Sequence, residues 1–454
     1  IQYGAYGQGP KPRLLGSIAA SSWSKTTGNV WRSATAIAHN PHSIDSGAEL
    51  FFEKKDGSAI FGRHVSSAGG LSREGDWTFS GNRVSIYAAQ DPGTLYASVE
   101  VPQARQLVYL NDKQYVAFDS LVLRYMVNAG YYEHYGNNLK LKGLKVTNGE
   151  IGYIGVKNST SAYGLSLDRS EITIAGNEIH DCGRRGVSLV LYNTASSVIR
   201  GVVIEGNHFY NGYHTTGVDI QSNNPKTGPG HIIENIHIRG NLFASDPGYD
   251  IDDPDEARSN LIFINQDANS TLRDIYIYNN VFAYAPGSGI KTQSGENYHI
   301  YNNTFYGFNP HHTGFQAHIF GGSSARNTFI VNNIFVNDAS HKRYAHIEYL
   351  NGRQSHYTID RNLYYSVNGG SARLLWVDKG QSHFFSGWAA YMRATRSDVH
   401  SATPPDPQFL AAPTDLKIKA TSPAVGKGQA MTWLKTDYLG VARSDPPDVG
   451  AFQH

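Results

Sequence analysis

The chain is poor in the residues that define several large protein classes. Its 454 residues include one cysteine, Cys182, which excludes an internal disulfide framework and any cysteine-rich zinc site. Unpaired cysteine is usually buried, so Cys182 is expected in the interior rather than in catalysis. Lys and Arg number 39 against 38 Asp and Glu, a net charge of +1. That balance argues against a nucleic-acid partner, while leaving room for a local basic cleft that takes an acidic polymer. No apolar run approaches membrane-spanning length and no charged-then-apolar signal segment opens the chain, so no membrane partner is expected and Ile1 reads as a mature or trimmed end. Helical patterns are also scarce: FFSGWAAYMRAT is the one convincing case.

What the chain does have is an internal repeat. Asn177, Asn207, Asn241, Asn280, Asn303, Asn333 and Asn362 recur 23 to 39 residues apart, each followed two places on by Ile, Phe or Tyr. A short β-branched strand precedes each Asn (ITIAGN, VVIEGN, IHIRGN, IYIYNN), and a second strand follows after a turn (GVSLVL, GVDIQS, LIFINQ, GIKTQS). A side-chain amide repeated once per coil can bond the amides above and below it, and the adjoining aromatic can stack likewise. No helical period separates the strands, which disfavours a βαβ fold, and the regular hairpin signals of a β-sandwich are missing. The pattern predicts an all-β, right-handed parallel β-helix. As a solenoid it accommodates 454 residues in one elongated domain: residues 1–110 as an N-terminal cap with the first coils, 111–375 as regular coils, and 376–454 as an irregular C-terminal flank.

Several segments resemble a known superfamily. The opening YGxGxxP…GS, the GDW…YxxxDP segment, the xGNxF coils and the ending DPQF…SPAVGKG…DVGAF look like secreted bacterial β-helix proteins of the pectate-lyase-like superfamily. Its members include polysaccharide lyases, glycoside hydrolases, uronan epimerases and sugar-binding spikes, so the resemblance specifies fold more than reaction. It implies a secreted or periplasmic protein, expected to be a monomer, with a polysaccharide or oligosaccharide lying across the coils.

The site is sought on the outward face of the second strand, where equivalent positions stack about 4.8 Å apart. Aligning GVSLV, GVDIQ, LIFIN, GIKTQ, QAHIF and YAHIE puts Ser188, Asp219, Phe263, Lys291, His318 and His346 in one outward column. Val190, Gln221, Asn265, Gln293, Phe320 and Glu348 form a second column two places on. The positions between, Leu189, Ile220, Ile264, Thr292, Ile319 and Ile347, then face inward. In this register Lys291 lies between Phe263 and His318, surroundings that would lower a lysine pKa toward that of a general base; a surface lysine tied to Asp219 or Glu296 is the plainer reading.

A second resemblance concerns that lysine. GIKTQSGENYHIYNNTFYG looks like the lysine-bearing coil of the chondroitinase B and alginate lyase group, in which the lysine abstracts the proton alpha to a uronate carboxylate. The resemblance implies that Lys291 is the base. The group's next coil carries Arg-His-Gly, whereas this chain has AHIFGG, so His318 stands near that pair and the arginine is missing.

β-Elimination needs neutralisation of the uronate carboxylate, a base, and an acid for the leaving oxygen. Arg184 and Arg185 at the groove edge would pair with a carboxylate. His214 or Tyr213, preceding Asp219, would donate the proton. The candidate catalytic set is thus Lys291, His318, His214, Asp219 and Arg185. Arg184, Tyr213, Gln221, Phe263, Asn265, Gln293, His346 and Glu348 would bind substrate. Two rivals remain open: a glycoside hydrolase pairing Asp219 with Asp252 or Asp253, and a non-catalytic glycan-binding β-helix. The acidic run ASDPGYDIDDPDEARSN suits three readings: a solvated loop, catalytic carboxylates, or calcium held by Asp250, Asp252 and Asp253. His311, His312, His341 and His346 have no zinc spacing, and sugar hydrogen bonding suits them better.

Overall fold

The computed structural model describes all residues outside 45–46, 134–140, 158, 160, 192–196, 223–229, 245–259, 267–268, 286, 309–315, 339–343, 350–355, 368–373, 379–380, 386–387 and 402–404. It is a right-handed parallel β-helix, each coil contributing a strand to three parallel sheets. Sheet one holds the strands that precede the repeated Asn, including Ser170–Ala175, Val198–Glu205, Ile232–Arg239 and Thr271–Tyr278. Sheet two holds those that follow it, including Glu178–Cys182, His208–Tyr210, Leu242–Ala244 and Val281–Ala285. Sheet three begins with Gln106–Tyr109 and Ala129–Tyr132 and continues through Tyr163–Leu167, Arg185–Leu191, Thr215–Ser222 and Asn260–Gln266. The long strands Ser288–Tyr301 and Gln316–Val331 bend from sheet three into sheet one.

Each coil closes at its repeated Asn. The residue just before it turns the chain in the left-handed region: Gly176, Gly206, Gly240, Asn279, Asn302, Asn332 and Arg361 all have φ of 50–65°. That backbone favours Gly or Asn, which accounts for the GN and NN dipeptides. The Asn side chains then form an unbroken ladder from Asn177 to Asn362. Each amide donates to the Oδ1 of the next at 3.0–3.1 Å, and each Oδ1 also accepts the preceding Asn's backbone N–H. Beside it Phe209, Phe243, Phe282, Phe305, Phe335 and Tyr364 stack with centroids 4.5–5.2 Å apart. Ile204, Ile238, Ile277, Ile300 and Ile330 complete the interior, and Cys182 is buried there as expected. Burial pushes its thiol pKa up.

Both ladders end on one carboxylate. Asp398 Oδ1 accepts from the Asn362 amide at 3.2 Å, while Oδ2 accepts from the Tyr364 and Tyr391 hydroxyls at 3.1 and 3.0 Å. Tyr391 lies on the helix Trp388–Thr395, which the FFSGWAAYMRAT pattern predicts.

At the other end, strands Gln2–Gly4 and Arg13–Leu15 join the parallel sheets. Residues 17–102 depart from the coil pattern, forming largely antiparallel sheets around a separate core that includes Phe52, Trp77, Val84 and Ile86. Phe51 from this cap packs against Tyr125 and Tyr153 on the flank of sheet two. The C-terminal flank covers the far half of sheet two, where Phe409, Leu416, Val449 and Ala451 pack on Val281, Ile334, Val336 and Leu363. Neither cluster includes a residue of sheet three.

Candidate functional site

The backbone register of sheet three aligns Ser166, Ser188, Asp219, Phe263, Lys291, Phe320 and Glu348 in one outward column. Ser188, Asp219, Phe263 and Lys291 stand where the sequence register puts them. The last two coils are offset by two residues, so Phe320 and Glu348 occupy the column in place of His318 and His346. Ile319 and Ile347 pair with Ile290, and through it with Val187, rather than with Thr292. Inward parity survives a two-residue slip, which is why alternation alone does not reveal it.

The placement of His318 and His346 outside, lining the groove, is thereby corrected. Both are buried at the corner where sheet three leaves sheet two. In earlier coils that corner is Gly186, Gly217, Leu261 or Gly289, and a Cβ added to the glycines would meet the ring of Phe209, Phe243 or Phe305. In the last two coils the imidazoles fill it. His318 lies 4.3 Å from the Phe308 ring, and the two imidazoles share a hydrogen bond between their Nδ1 atoms at 3.3 Å. Burial, and for His318 also the neighbouring His346, holds the His318 pKa well below the ordinary range; burial sets His346 at about 3. Both are neutral core groups.

Lys291 projects between two phenyl rings. Its Nζ lies 5.9 Å from the Phe263 centroid and 5.1 Å from that of Phe320, so cation–π attraction acts from both sides. Across Phe320, burial raises the Glu348 carboxyl to about 7, against the opposing pull of Lys291. Glu348 Oε2 is buried with no hydrogen-bond partner among the described residues.

On the other side of Phe263, Asp219 is fully buried and its Oδ2 meets Arg185 Nε at 2.8 Å. Thr215 Oγ1 donates to the same oxygen at 3.3 Å, and His214 Nδ1 lies 3.2 Å from Thr215 Oγ1. With the threonine proton given to Asp219, His214 Nδ1 carries the hydrogen. Burial raises the Asp219 pKa despite Arg185. Asp219 Oδ1 has no hydrogen-bond partner among the described residues. The sequence-predicted Arg185, Asp219 and His214 are thus brought together, with Arg185 engaged by Asp219. The half-exposed Arg184 donates through Nη1 to the Ser159 carbonyl at 2.8 Å. Tyr213 is fully buried, its ring beneath Lys157 Nζ and edge-on to Phe61.

The second column keeps Val190, Gln221 and Asn265 in register. Asn265 Oδ1 accepts from Ser294 Oγ at 3.0 Å, and Gln293 follows two residues after Lys291, half-exposed. Asp250, Asp252 and Asp253, with the rest of the acidic run, lie outside the described residues, as do His311, His312 and His341. No group of three His, Cys, Asp or Glu among the described residues is placed to hold a metal ion. No described helix is long and apolar enough to cross a membrane.

A cavity of about 720 Å³ opens elsewhere, between sheet two and the C-terminal flank. Its lining is mostly apolar, including Leu242, Ala283, Leu416 and Phe452, and its charged members Asp415 and Lys417 pair with each other at 3.2 Å. That lining offers no base set beside a second, independent carboxyl group.

Residues 133–250 match a family model described as a protein of unknown function, DUF1565. No curated protein matches the chain. Among solved structures, the complex of XylC with xylose is similar at 12% identity and a TM-score of 0.47, covering 98% of this chain and 88% of that one. A structure described as a glycoside hydrolase is similar at 13% identity and a TM-score of 0.47, covering 82% and 81%. Pectate lyase Pel9A is similar at 10% identity and a TM-score of 0.35, covering 78% and 85%.

Proposed function

We propose that the protein is a carbohydrate-active enzyme that cleaves a uronate-containing polysaccharide by β-elimination on sheet three, with Lys291 as the base. The observation that carries this reading is the setting of Lys291 between Phe263 and Phe320 in an outward column. Phenyl rings on adjacent rungs provide apolar surface for sugar faces and hold the amine where a ring stacked on either would meet it. Asn265 and Gln293 supply amide donors for the uronate carboxylate, and Arg184 supplies charge at the groove edge. Arg185 orders Asp219 rather than meeting substrate directly.

Within the column, spacing disfavours a hydrolytic pair of Asp219 with Glu348; the pairing of Asp219 with Asp252 or Asp253 rests on residues outside those described. Asp219 and Glu348 are four rungs apart, roughly 19 Å at the strand spacing, whereas hydrolytic carboxylates are separated by about 5 to 9.5 Å. A uronate polymer is met outside the cytoplasm, so the reading includes a secreted or periplasmic location. The test is incubation with a panel of uronate-containing and neutral polysaccharides, following ultraviolet absorbance and reducing ends together. Unsaturated products from a uronate polymer are expected, and their loss in Lys291→Ala; reducing ends without unsaturation would replace the lyase with a hydrolase.

A further inference from the structure

The lyase reading supplies a base but leaves the leaving oxygen without a named acid. Of the acids the sequence suggests, His214 is buried with its Nδ1 on Thr215 Oγ1 and Tyr213 is buried under the cap, while His318 and His346 are enclosed in the core and Asp219 is engaged by Arg185. We propose that Glu348 is the general acid, delivering its proton to the glycosidic oxygen that departs while Lys291 takes the alpha proton.

The placement rests on three observations. Glu348 shares the outward column with Lys291, with only Phe320 between them. Their Cα atoms are two rungs apart, roughly 10 Å, a span over which one sugar ring lying on Phe320 would fit. Glu348 Oε2 is buried and unpartnered among the described residues, an unusual state for a carboxyl group in a folded protein and one that a substrate oxygen would relieve. The raised Glu348 pKa, set by burial against Lys291, keeps a proton on the carboxyl near neutrality.

This inference rests on the β-elimination reading, and the step balances without a co-reactant. Once its ammonium, the form the two phenyl faces favour, has given a proton to solvent, the Lys291 amine removes the proton on the carbon alpha to the uronate carboxylate. The released electron pair forms the ring double bond to the neighbouring carbon, whose bond to the glycosidic oxygen breaks. That oxygen takes the proton from Glu348. Lys291 ends as ammonium and Glu348 as carboxylate, and exchange with solvent restores both.

The experiment compares two substrates in Glu348→Gln. On a natural polymer the leaving alkoxide needs a proton, and turnover is expected to fall by about 10²–10⁴-fold. On a synthetic uronoside bearing a nitrophenolate at the same carbon the leaving group needs no acid, and the loss is expected to shrink to a few-fold. In Glu348→Ala, added formate is expected to restore turnover on the polymer, a response that a purely structural role would not give. Equal losses on both substrates, with no formate rescue, would overturn the assignment of Glu348. Lys291→Ala separates the two claims: if it keeps its activity on the nitrophenyl substrate, the elimination reading fails, whereas a normal Glu348→Gln beside a dead Lys291→Ala removes only the acid.

Discussion

Arg185 Nε and Asp219 Oδ2 meet at 2.8 Å on adjacent coils, both side chains closed off from solvent. Removing one partner from a buried ion pair strands the other charge, at a cost of about 3–5 kcal/mol, while replacing both with neutral groups is far milder. Arg185→Met should therefore destabilise the fold strongly. The double variant Arg185→Met, Asp219→Asn should recover most of that loss in urea unfolding; losses that simply add would mean that the pair is not energetically coupled.

The asparagine ladder yields a second expectation. In Asn241→Ala the Asn207 backbone N–H and amide lose their acceptor and the Ile204 carbonyl loses its donor. Each buried orphan costs about 1–3 kcal/mol, so a loss of about 3 kcal/mol or more is predicted. Chemical denaturation measures it, and a change under about 1 kcal/mol would contradict the structural weight given to the ladder.

Asp398 ends both ladders, and burial lifts its pKa to about 6 against hydrogen bonds from Ser401, Asn362, Tyr364 and Tyr391. A carboxyl whose folded pKa exceeds its unfolded value, about 4, costs nothing while protonated in both states. Its penalty grows as pH rises from about 4 to about 6 and is constant above. Asp398→Asn should lower stability by about 1–3 kcal/mol, because Asn offers one acceptor oxygen where two serve four donors. It should also flatten the part of the stability profile between those pH values. The readout is the difference between wild-type and variant unfolding curves, since carboxylates such as Asp76 drift the other way. Burial disfavours the Asp76 anion, but hydrogen bonds from Arg63, Ser72 and Arg73 prevail and hold it at about 2.

The interior position of His318 and His346 predicts that neither serves chemistry. His346→Leu keeps a similar volume against Phe335 and Tyr364, so turnover should be unchanged and stability altered by less than about 1.5 kcal/mol. A large drop in turnover with a folded variant would restore a catalytic role to this pair.

How far the sequence was legible follows from which interactions repeat. The Asn ladder repeats from Asn177 to Asn362 and the aromatic ladder from Phe209 to Tyr364, with GN or NN turns in six of those seven coils, and each repeat confirms the others, so the β-helix and the outward column through Lys291 can be read directly. The placement of Phe320 and Glu348 was hidden because a slip of two residues keeps inward parity and changes only which outward side chains align. The available signal was Ile319: paired with Ile290 it continues an unbroken aliphatic column, whereas paired with Thr292 it follows a hydroxyl. Residues 17–102 show no repeat, and their antiparallel pairing depends on contacts between distant segments that no local pattern announces.

The most direct measurement of the central claim is ultraviolet absorbance during incubation of wild type and Lys291→Ala with uronate polysaccharides. The account predicts rising absorbance from unsaturated uronate with wild type and a rate about 10²–10⁴-fold lower with the variant. Equal rates for the two proteins, or chain cleavage by wild type without any unsaturated product, would contradict it.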